Sequence, residues 1–216
     1  MNKLGEEKSS GGGEKNNKKK IDWMKYNGDD DLREKYSFAQ WPIERGEVFL
    51  WNSLSIAFTN LKPVLPGHVL VSPKRVVARF QDLTREEVSD LFHTARLVAQ
   101  LLVTKYKADS YNITLQDGKA SGQTVAHVHL HIMPRFPHDF DKLRKDNEAK
   151  KVGQGEKKEE KDKKENEEKQ RPGVDREEQK PRTRQDMIDE ALELREWMKT
   201  LAAKQEEEEE KEEGKN

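Results

Sequence analysis

The chain has 216 residues, of which 32% are hydrophobic and 38% charged, so much of it cannot bury enough apolar surface to offset the entropy lost on ordering. Its 41 basic and 42 acidic residues give a net charge of −1, and this balance provides no overall field for nucleic acid or for an anionic membrane. The lack of cysteine excludes disulfides, thiol catalysis, thiolate zinc sites and iron–sulfur clusters.

The chain is predicted to hold one folded domain with charged flanks. Residues 1–36 are polar and without periodicity, which predicts a disordered arm, and residues 37–140 form the compact domain. Lys and Glu dominate residues 141–184, which predicts a disordered insert. An amphipathic helix over 185–204 and an acidic tail over 205–216 follow. Deleting the arm and the insert is expected to cost little stability, because they offer few apolar residues to bury.

No stretch is long and apolar enough to span a bilayer, and the first thirty residues carry charges where a secretory signal needs an apolar run. We therefore expect a soluble protein of the cytoplasm with no membrane partner. The cluster Lys18-Lys19-Lys20 can be read as part of a nuclear address, which makes the nucleus a second candidate compartment, although such clusters are far more often solvated.

The first strands are marked by aromatic and β-branched residues. The runs 48–51 and 54–58 are separated by Asn52-Ser53, which predicts a hairpin, and a third strand is predicted at 68–71. Two more strands are predicted after the helix, over 111–116 and 125–133. This order predicts an α+β fold with a mainly antiparallel five-stranded sheet.

The helix between these strands has a well-marked start. Thr84 is its predicted N-cap, Glu87 completes a capping box, and Leu83 with Val88 forms a hydrophobic staple. Apolar residues then recur every three or four positions as far as residue 102, which predicts one stripe packed on the sheet. His93 lies off this stripe and is predicted to be on the surface.

Histidine alternates with apolar residues in the segment 127–132, and side chains on a strand alternate between the two faces of a sheet. His127, His129 and His131 are therefore predicted to share one face, with about 6.5 Å between successive positions. Three histidines in alternation favour a chemical site over a set of half-buried side chains. On the strand alone, a metal site and a phosphoryl-transfer site are equally compatible.

The loop before this strand, residues 116–124, distinguishes the two kinds of site. Gly118 and Gly122 allow the backbone to approach a ligand closely. A histidine metal site would need carboxylates to orient its ligands, and the strand offers none. The neutral side chains suited to phosphate oxygens are Gln116, Ser121, Gln123 and Thr124. Phosphate is therefore the favoured ligand, and no metal site made of protein ligands is expected.

The stretch QDGKASGQTVAHVHLHIMPR resembles the signature of the histidine triad (HIT) superfamily in its Fhit branch. The segments FAQWPI, AFTNLKPVLPGHVLVSPKR and YKADS are also similar to Fhit segments, so the resemblance covers Phe38 to Arg135. Met133-Pro134-Arg135 after the histidines is like Fhit and unlike the glycine-rich ending of Hint-type phosphoramidases. The resemblance implies a HIT-like fold and hydrolysis of dinucleoside polyphosphates, of the diadenosine triphosphate type, to NMP and NDP.

The resemblance also implies roles for individual residues. His129 is the nucleophile that forms a nucleotidyl-histidine intermediate, His131 lies near the transferred phosphoryl group, and His127 and His68 orient the others. Phe58 is equally compatible with a place in the core. The substrate-binding residues are expected to be Gln116, Gln123 and Thr124 with Ser121 at the phosphates, Asn60 at the ribose, and Phe38, Ile43 and Phe58 at the base.

Few fixed cations are expected in this site, so Mg²⁺ or Mn²⁺ is expected to accompany the substrate phosphates rather than to be a tightly bound cofactor. The resemblance implies a two-fold homodimer whose sheets join, and a core of about 100 residues would gain from association. No nucleic acid partner is expected.

Two other functions stay open at this point. Another HIT hydrolase activity, on nucleoside phosphoramidates or adenylyl sulfate, would use the same intermediate. Alternatively, a slow enzyme would act as a substrate-bound signalling protein, with the insert and the last helix recruiting a partner.

Overall fold

The structure is a computed structural model, and it describes residues 21–26, 35–139 and 180–213. Most of the predicted insert, over 141–179, lies outside the described residues, as do 1–20 and 27–34 of the predicted arm and the last three residues. None of the helices in the described part of the chain combines the length and the hydropathy that a membrane span needs.

A five-stranded antiparallel sheet forms the centre of the fold, which confirms the predicted α+β class. Its strands lie in the spatial order β3-β4-β5-β7-β6, and a short hairpin, β1-β2, precedes it in the chain. The elements are β1 (Tyr36–Phe38), β2 (Trp41–Ile43), β3 (Val48–Trp51), β4 (Ser55–Thr59), β5 (Val69–Pro73), α1 (Arg85–Tyr106), β6 (Ser110–Leu115), β7 (Leu130–Arg135) and α2 (Arg184–Glu213).

Helix α1 begins as predicted. The Thr84 hydroxyl accepts from the Glu87 main-chain N–H at 3.2 Å, and the Glu87 carboxylate accepts from the Thr84 N–H at 2.9 Å. This reciprocal capping box satisfies two donors that a helix start leaves without intrahelical partners. The buried face of α1 packs on one face of the sheet, in a cluster that includes Val69, Leu130 and Ile132.

The opposite face of the sheet carries a second apolar cluster. Phe58, Leu70 and His131 are direct partners in neighbouring strands, so their side chains lie on this same face. Tyr36 and Phe38 from the β1-β2 hairpin cover it. The sheet therefore has a helix on one face and a small hairpin on the other, with His131 beneath the hairpin.

The strand predicted over 125–133 was placed too early, since β7 begins only at Leu130. Before Leu130, Val128 makes other hydrogen bonds, to the chain after β5 and to a side chain of β5: its N–H donates to the Val77 oxygen at 2.7 Å, and its oxygen accepts from the Ser72 hydroxyl at 2.7 Å. Alternating hydrophobicity is shared by ladder strands and by extended segments with other partners, so the pattern could not separate the two.

The prediction of a wholly disordered arm over residues 1–36 was wrong for residues 21–26. Trp23 is only 1% exposed, and Ile21 and Tyr26 are buried with it in the main core cluster. A six-residue segment with four apolar side chains in polar surroundings shows no clear period, which is why the sequence did not reveal it.

Helix α2 is longer than the predicted 185–204, because it continues through the acidic run to Glu213. Thr183 and Asp186 cap its start reciprocally, at 3.0 and 3.1 Å. Its buried residues Ala191, Leu194 and Met198 join the main core. Glu is a good helix former, and extending a helix that packing has already nucleated costs little.

We expect Trp23→Ala to lower the free energy of unfolding by about 3–5 kcal/mol, because it empties a fully enclosed site in the core. Met24→Ala is the matched control: its side chain is 48% exposed, and the change should stay within about 0.5 kcal/mol. Urea unfolding followed by far-UV circular dichroism measures both. Equal stabilities of the two variants would place Trp23 outside the core.

Candidate active site

A cleft of about 540 Å³ opens on the sheet face that the β1-β2 hairpin covers. Its walls are mostly apolar, with a few polar groups among them, which is the usual makeup of a small-molecule site. The residues around it include Phe38, Trp41, Ile43, Phe58 and Met187 as apolar groups and Asn60, Lys62, Thr124, His129 and Arg184 as polar ones.

His129 stands at the wall of this cleft with its ring 1% exposed. Its Nδ1 lies 2.7 Å from the main-chain oxygen of His127. A carbonyl oxygen can only accept, so the proton of the neutral ring sits on Nδ1 and the lone pair on Nε2. Phe38 packs edge-on against this ring, with 5.0 Å between the ring centroids.

The proton of neutral His131 is placed on the other ring nitrogen, Nε2, through a hydrogen bond with His68. The Val64 main-chain N–H donates to His68 Nδ1 at 3.0 Å, so the proton of neutral His68 must be on Nε2. His68 Nε2 in turn lies 3.0 Å from His131 Nδ1, which therefore accepts. The proton of neutral His131 is consequently on Nε2. Its ring lies 4.8 Å from that of His129, centroid to centroid.

His127 is held almost entirely by the main chain. The Ala39 N–H donates to its Nδ1 at 3.2 Å, and its Nε2–H points at the oxygens of Pro73 and Arg75, at 3.1 and 3.2 Å. The ring thereby ties the hairpin to the end of β5. Its contribution to His129 comes from its carbonyl rather than from its imidazole.

Hydrogen bonds of the Gln123 side chain hold the loop over residues 116–124 in place. Gln123 Oε1 accepts from the Gly118 N–H at 2.7 Å, and its Nε2 donates to the oxygen of Ala78 at 3.1 Å. Gly122 has φ +88°, and a Cβ there would come within 2.5 Å of the Gln116 amide. The positive φ favours glycine at this position, and the Gln116 amide would have to move to admit a Cβ.

Comparison with known proteins places the chain in a family. The family model described as HIT domain matches residues 44–138. A bis(5'-adenosyl)-triphosphatase of Dictyostelium discoideum is 49% identical over 104 residues, which are 48% of this chain and 70% of that protein. The chain belongs to the HIT domain family.

Two further relatives bear on this HIT domain. A bifunctional bis(5'-adenosyl)-triphosphatase/adenylylsulfatase of Arabidopsis thaliana is 50% identical over 107 residues, which are 50% of this chain and 59% of that protein. The crystal structure of a Plasmodium falciparum diadenosine triphosphate hydrolase has a TM-score of 0.57 and 25% identity, covering 80% of this chain and 90% of that one. These matches confirm the resemblance to Fhit-type members of the family.

The HIT domain brings the predicted site residues to two places. The cleft wall holds His129, Asn60 and Thr124 together with the predicted base-pocket residues Phe38, Ile43 and Phe58. The other three predicted histidines are buried behind that wall, in contact with it or with each other. Gln116, Ser121 and Gln123 belong to the neighbouring loop, where Ser121 is exposed and Gln116 is 7% exposed.

Phe58, which the sequence allowed as either core or pocket, is both. It is 5% exposed and belongs to the second apolar cluster, and it also lines the cleft.

One wall of the cleft was not predicted. Arg184 and Met187, from the first turn of α2, line it, and Arg184 pairs with Glu44 at 2.5 Å and with Glu47 at 3.2 Å. Lys62 and Arg184 therefore place two cations at a cleft that the sequence described as poor in fixed cations. The Thr-x-x-Asp capping pattern at Thr183 was the available signal for where this wall begins.

Burial keeps two of the imidazoles uncharged. It lowers the pKa of His68 from 6.5 to about 3, and the nearby imidazoles and the Arg182 guanidinium act in the same direction. Burial also lowers the pKa of His127, against hydrogen bonds to main-chain oxygens that favour its protonated form. Both rings are neutral at pH 7.

The HIT domain should therefore lose stability in acid. The folded pKa of His68 lies below its value in the unfolded chain, so the unfolded chain binds the extra proton, and stability falls as the pH drops from 6.5 toward about 3. His68→Gln should reduce this slope by about 1.4 kcal/mol per pH unit, or one proton. Urea unfolding at a series of pH values measures it.

His93→Gln, at an exposed histidine of α1, is the control and should keep the wild-type slope. A His68→Gln protein with the wild-type slope would show that His68 is not the group that takes up the proton on unfolding.

Proposed function

We propose that this HIT domain hydrolyses dinucleoside polyphosphates of the diadenosine triphosphate type to a nucleoside monophosphate and a nucleoside diphosphate. The observation that carries the proposal is the proton arrangement on His129. Its Nδ1–H is bound by a carbonyl, so its Nε2 carries a lone pair at the wall of an apolar cleft. The Dictyostelium and Arabidopsis relatives, both named as bis(5'-adenosyl)-triphosphatases, support the same activity.

In the first step, Nε2 of His129 attacks the α-phosphorus and the bond from that phosphorus to the bridging oxygen breaks. A nucleoside diphosphate leaves, and the nucleotide stays on the imidazole. The ring then carries a positive charge, which the carbonyl of His127 stabilises through Nδ1–H. In the second step, water attacks the same phosphorus and releases a proton, the P–N bond breaks, and neutral His129 is restored.

His131 is proposed to serve the leaving oxygen in the first step. Its Nε2 carries the proton, because its Nδ1 accepts from His68, and a positioned N–H can donate to an oxygen that gains charge. His127 and His68 hold the two reacting rings without touching the substrate.

The remaining predicted residues are proposed as substrate ligands. Asn60 contacts the ribose, and Phe38, Ile43 and Phe58 enclose the base. The phosphates meet Thr124 and the loop residues Gln116, Ser121 and Gln123, while Mg²⁺ or Mn²⁺ enters with the substrate.

A second activity, hydrolysis of adenylyl sulfate, is supported by the Arabidopsis relative, whose name joins the triphosphatase and adenylylsulfatase activities. Both reactions would pass through adenylyl-His129. Measuring kcat/KM for diadenosine triphosphate and for adenylyl sulfate with one enzyme preparation shows which of the two substrates is preferred.

His129→Ala should abolish turnover without unfolding the protein, because no other side chain can place a lone pair at the same point. His129→Gly or His129→Asn should retain substrate binding in calorimetry. His93→Ala serves as the control for loss of an imidazole and should keep wild-type rates. Near wild-type turnover by His129→Ala would rule out this mechanism.

The intermediate itself can be trapped with substrate labelled in the α-phosphate. Label quenched onto the wild-type protein should survive alkaline work-up and be lost in acid, because a phosphoramidate bond to imidazole is acid-labile and base-stable. Peptide mapping should place it on His129. Label on His127 or His131 would contradict the assignment.

We also propose that two chains form a homodimer through β6, the edge strand of the five-stranded sheet. No described strand pairs with its outer edge, and Tyr111 and Ile113 on it are 48% and 38% exposed. An edge with exposed apolar side chains is a template for pairing with another chain. A second copy presenting the same edge would join the two sheets about a two-fold axis.

Ile113→Glu should convert the dimer to a monomer in sedimentation equilibrium, because it places two charges at the joined edge. Leu192→Glu, at a residue of α2 that is 45% exposed, is the matched control and should stay dimeric. If only Leu192→Glu were monomeric, the interface would lie on α2 instead. A monomeric wild-type protein would exclude the dimer.

A further inference from the structure

Arg182, just before α2, clamps the connection between β4 and β5. Its Nε and Nη2 donate to the main-chain oxygen of Asn60 at 3.1 and 2.6 Å. Its own main-chain N–H donates to the oxygen of Leu61 at 2.9 Å. Three hydrogen bonds thus tie this arginine to two consecutive residues that lie about 120 positions earlier in the chain.

The arginine is itself held in place from the other side. Its Nη1 lies 2.8 Å from Glu190 Oε2, with the two side chains only 22% and 14% exposed. The Tyr106 hydroxyl donates to the other oxygen of Glu190 at 3.4 Å, and burial raises the pKa of Tyr106, so that it stays a donor. Tyr106, Glu190 and Arg182 therefore form a clamp from α1 through α2 to the connection.

The clamped connection carries two groups that serve the site. The side-chain oxygen of Asn60, the proposed ribose ligand, accepts from the Lys62 N–H at 3.0 Å. Val64 supplies the N–H that fixes the tautomer of His68. If Val64 withdrew, His68 could take its other tautomer and would no longer donate to His131 Nδ1. His131 could then lose the proton on Nε2.

We propose that Arg182 is a positioning residue for the hydrolytic reaction. By holding the β4–β5 connection, Arg182 keeps the single proton of neutral His68 on Nε2. The proton of neutral His131 thereby stays on Nε2, the nitrogen proposed to face the leaving oxygen. This inference rests on the proposed function, since it needs His131 to donate to the leaving group. It assigns a role to a residue that the sequence placed within a disordered insert.

The test uses Arg182→Gln, which removes the charge and the paired donors, and a series of aryl esters of AMP with leaving phenols of increasing basicity. A basic phenolate gains more stabilisation from a hydrogen bond donated by the enzyme than dinitrophenolate does. We expect kcat of Arg182→Gln to fall by about 10-fold to 100-fold for the unsubstituted phenyl ester and by less than about 3-fold for the dinitrophenyl ester. The plot of log kcat against phenol pKa becomes steeper.

Glu193→Gln is the matched control, since it removes another ion pair between the two helices, Lys105–Glu193 at 3.2 Å, without contact to the connection. Its slope should equal that of the wild type. Arg182→Lys keeps the charge but not the paired donors, and its kcat should lie between the wild type and Arg182→Gln. Melting temperatures of all variants establish which of them are folded at the assay temperature.

The outcomes separate the two proposals. If the wild type hydrolyses neither diadenosine triphosphate nor any aryl ester of AMP, the proposed function is wrong. If the wild type turns over the series and Arg182→Gln loses the same factor with every phenol, the inference about Arg182 is wrong and the function stands. If Arg182→Gln is unfolded, Arg182→Lys is used in its place, and nitrogen-15 chemical shifts report the tautomers of its His68 and His131. Wild-type tautomers together with a lowered kcat for the phenyl ester would overturn the inference.

Discussion

Main-chain hydrogen bonds that fix the protons of buried imidazoles are the constraint on which the rest of the site depends. A neutral histidine has one donor and one acceptor nitrogen, and either arrangement is available to it until a partner that cannot change role selects one. The His127 carbonyl fixes the proton of His129 on Nδ1. The Val64 N–H fixes the proton of His68 on Nε2, and His68 in turn fixes the proton of His131 on Nε2. Two rings side by side thus acquire opposite functions, a lone pair on one Nε2 and a proton on the other.

These tautomers persist only if the backbone is held firmly on both faces of the sheet. Helix α1 packs on one face and the β1-β2 hairpin covers the other, so the rings are removed from water and their charged forms are disfavoured. The same burial that keeps His68 neutral makes the fold sensitive to acid. Burial of neutral His68 therefore makes the fold less stable as the pH falls.

Local patterns predicted the parts of the fold whose signals are contiguous in the chain. The capping box at Thr84 and the β3-β4 hairpin depend on neighbours within a few residues, and both were correct. The alternation of histidines predicted that the three rings share one face of a strand, but β7 begins only at Leu130, and Val128 bonds to Val77 in the chain after β5. Trp23 and Arg182 could not be found in this way, because their partners lie far away in sequence and their own neighbourhoods are polar.

Much of the cleft wall comes from three segments that are distant in the chain: the β1-β2 hairpin, the end of β4 with the residues after it, and the start of α2. The histidines proposed to react instead sit on or beside the central strands, and their proton positions depend on main-chain partners. Walls made of short peripheral elements can change their side chains without altering those main-chain bonds, so substrate preference and chemistry are largely separate in this fold. Arg182 joins them, because one guanidinium holds both the residue proposed for the ribose and the connection that selects the tautomer of His68. Changes near the start of α2 should therefore alter catalysis as well as binding, whereas changes confined to the hairpin wall should act mainly on binding.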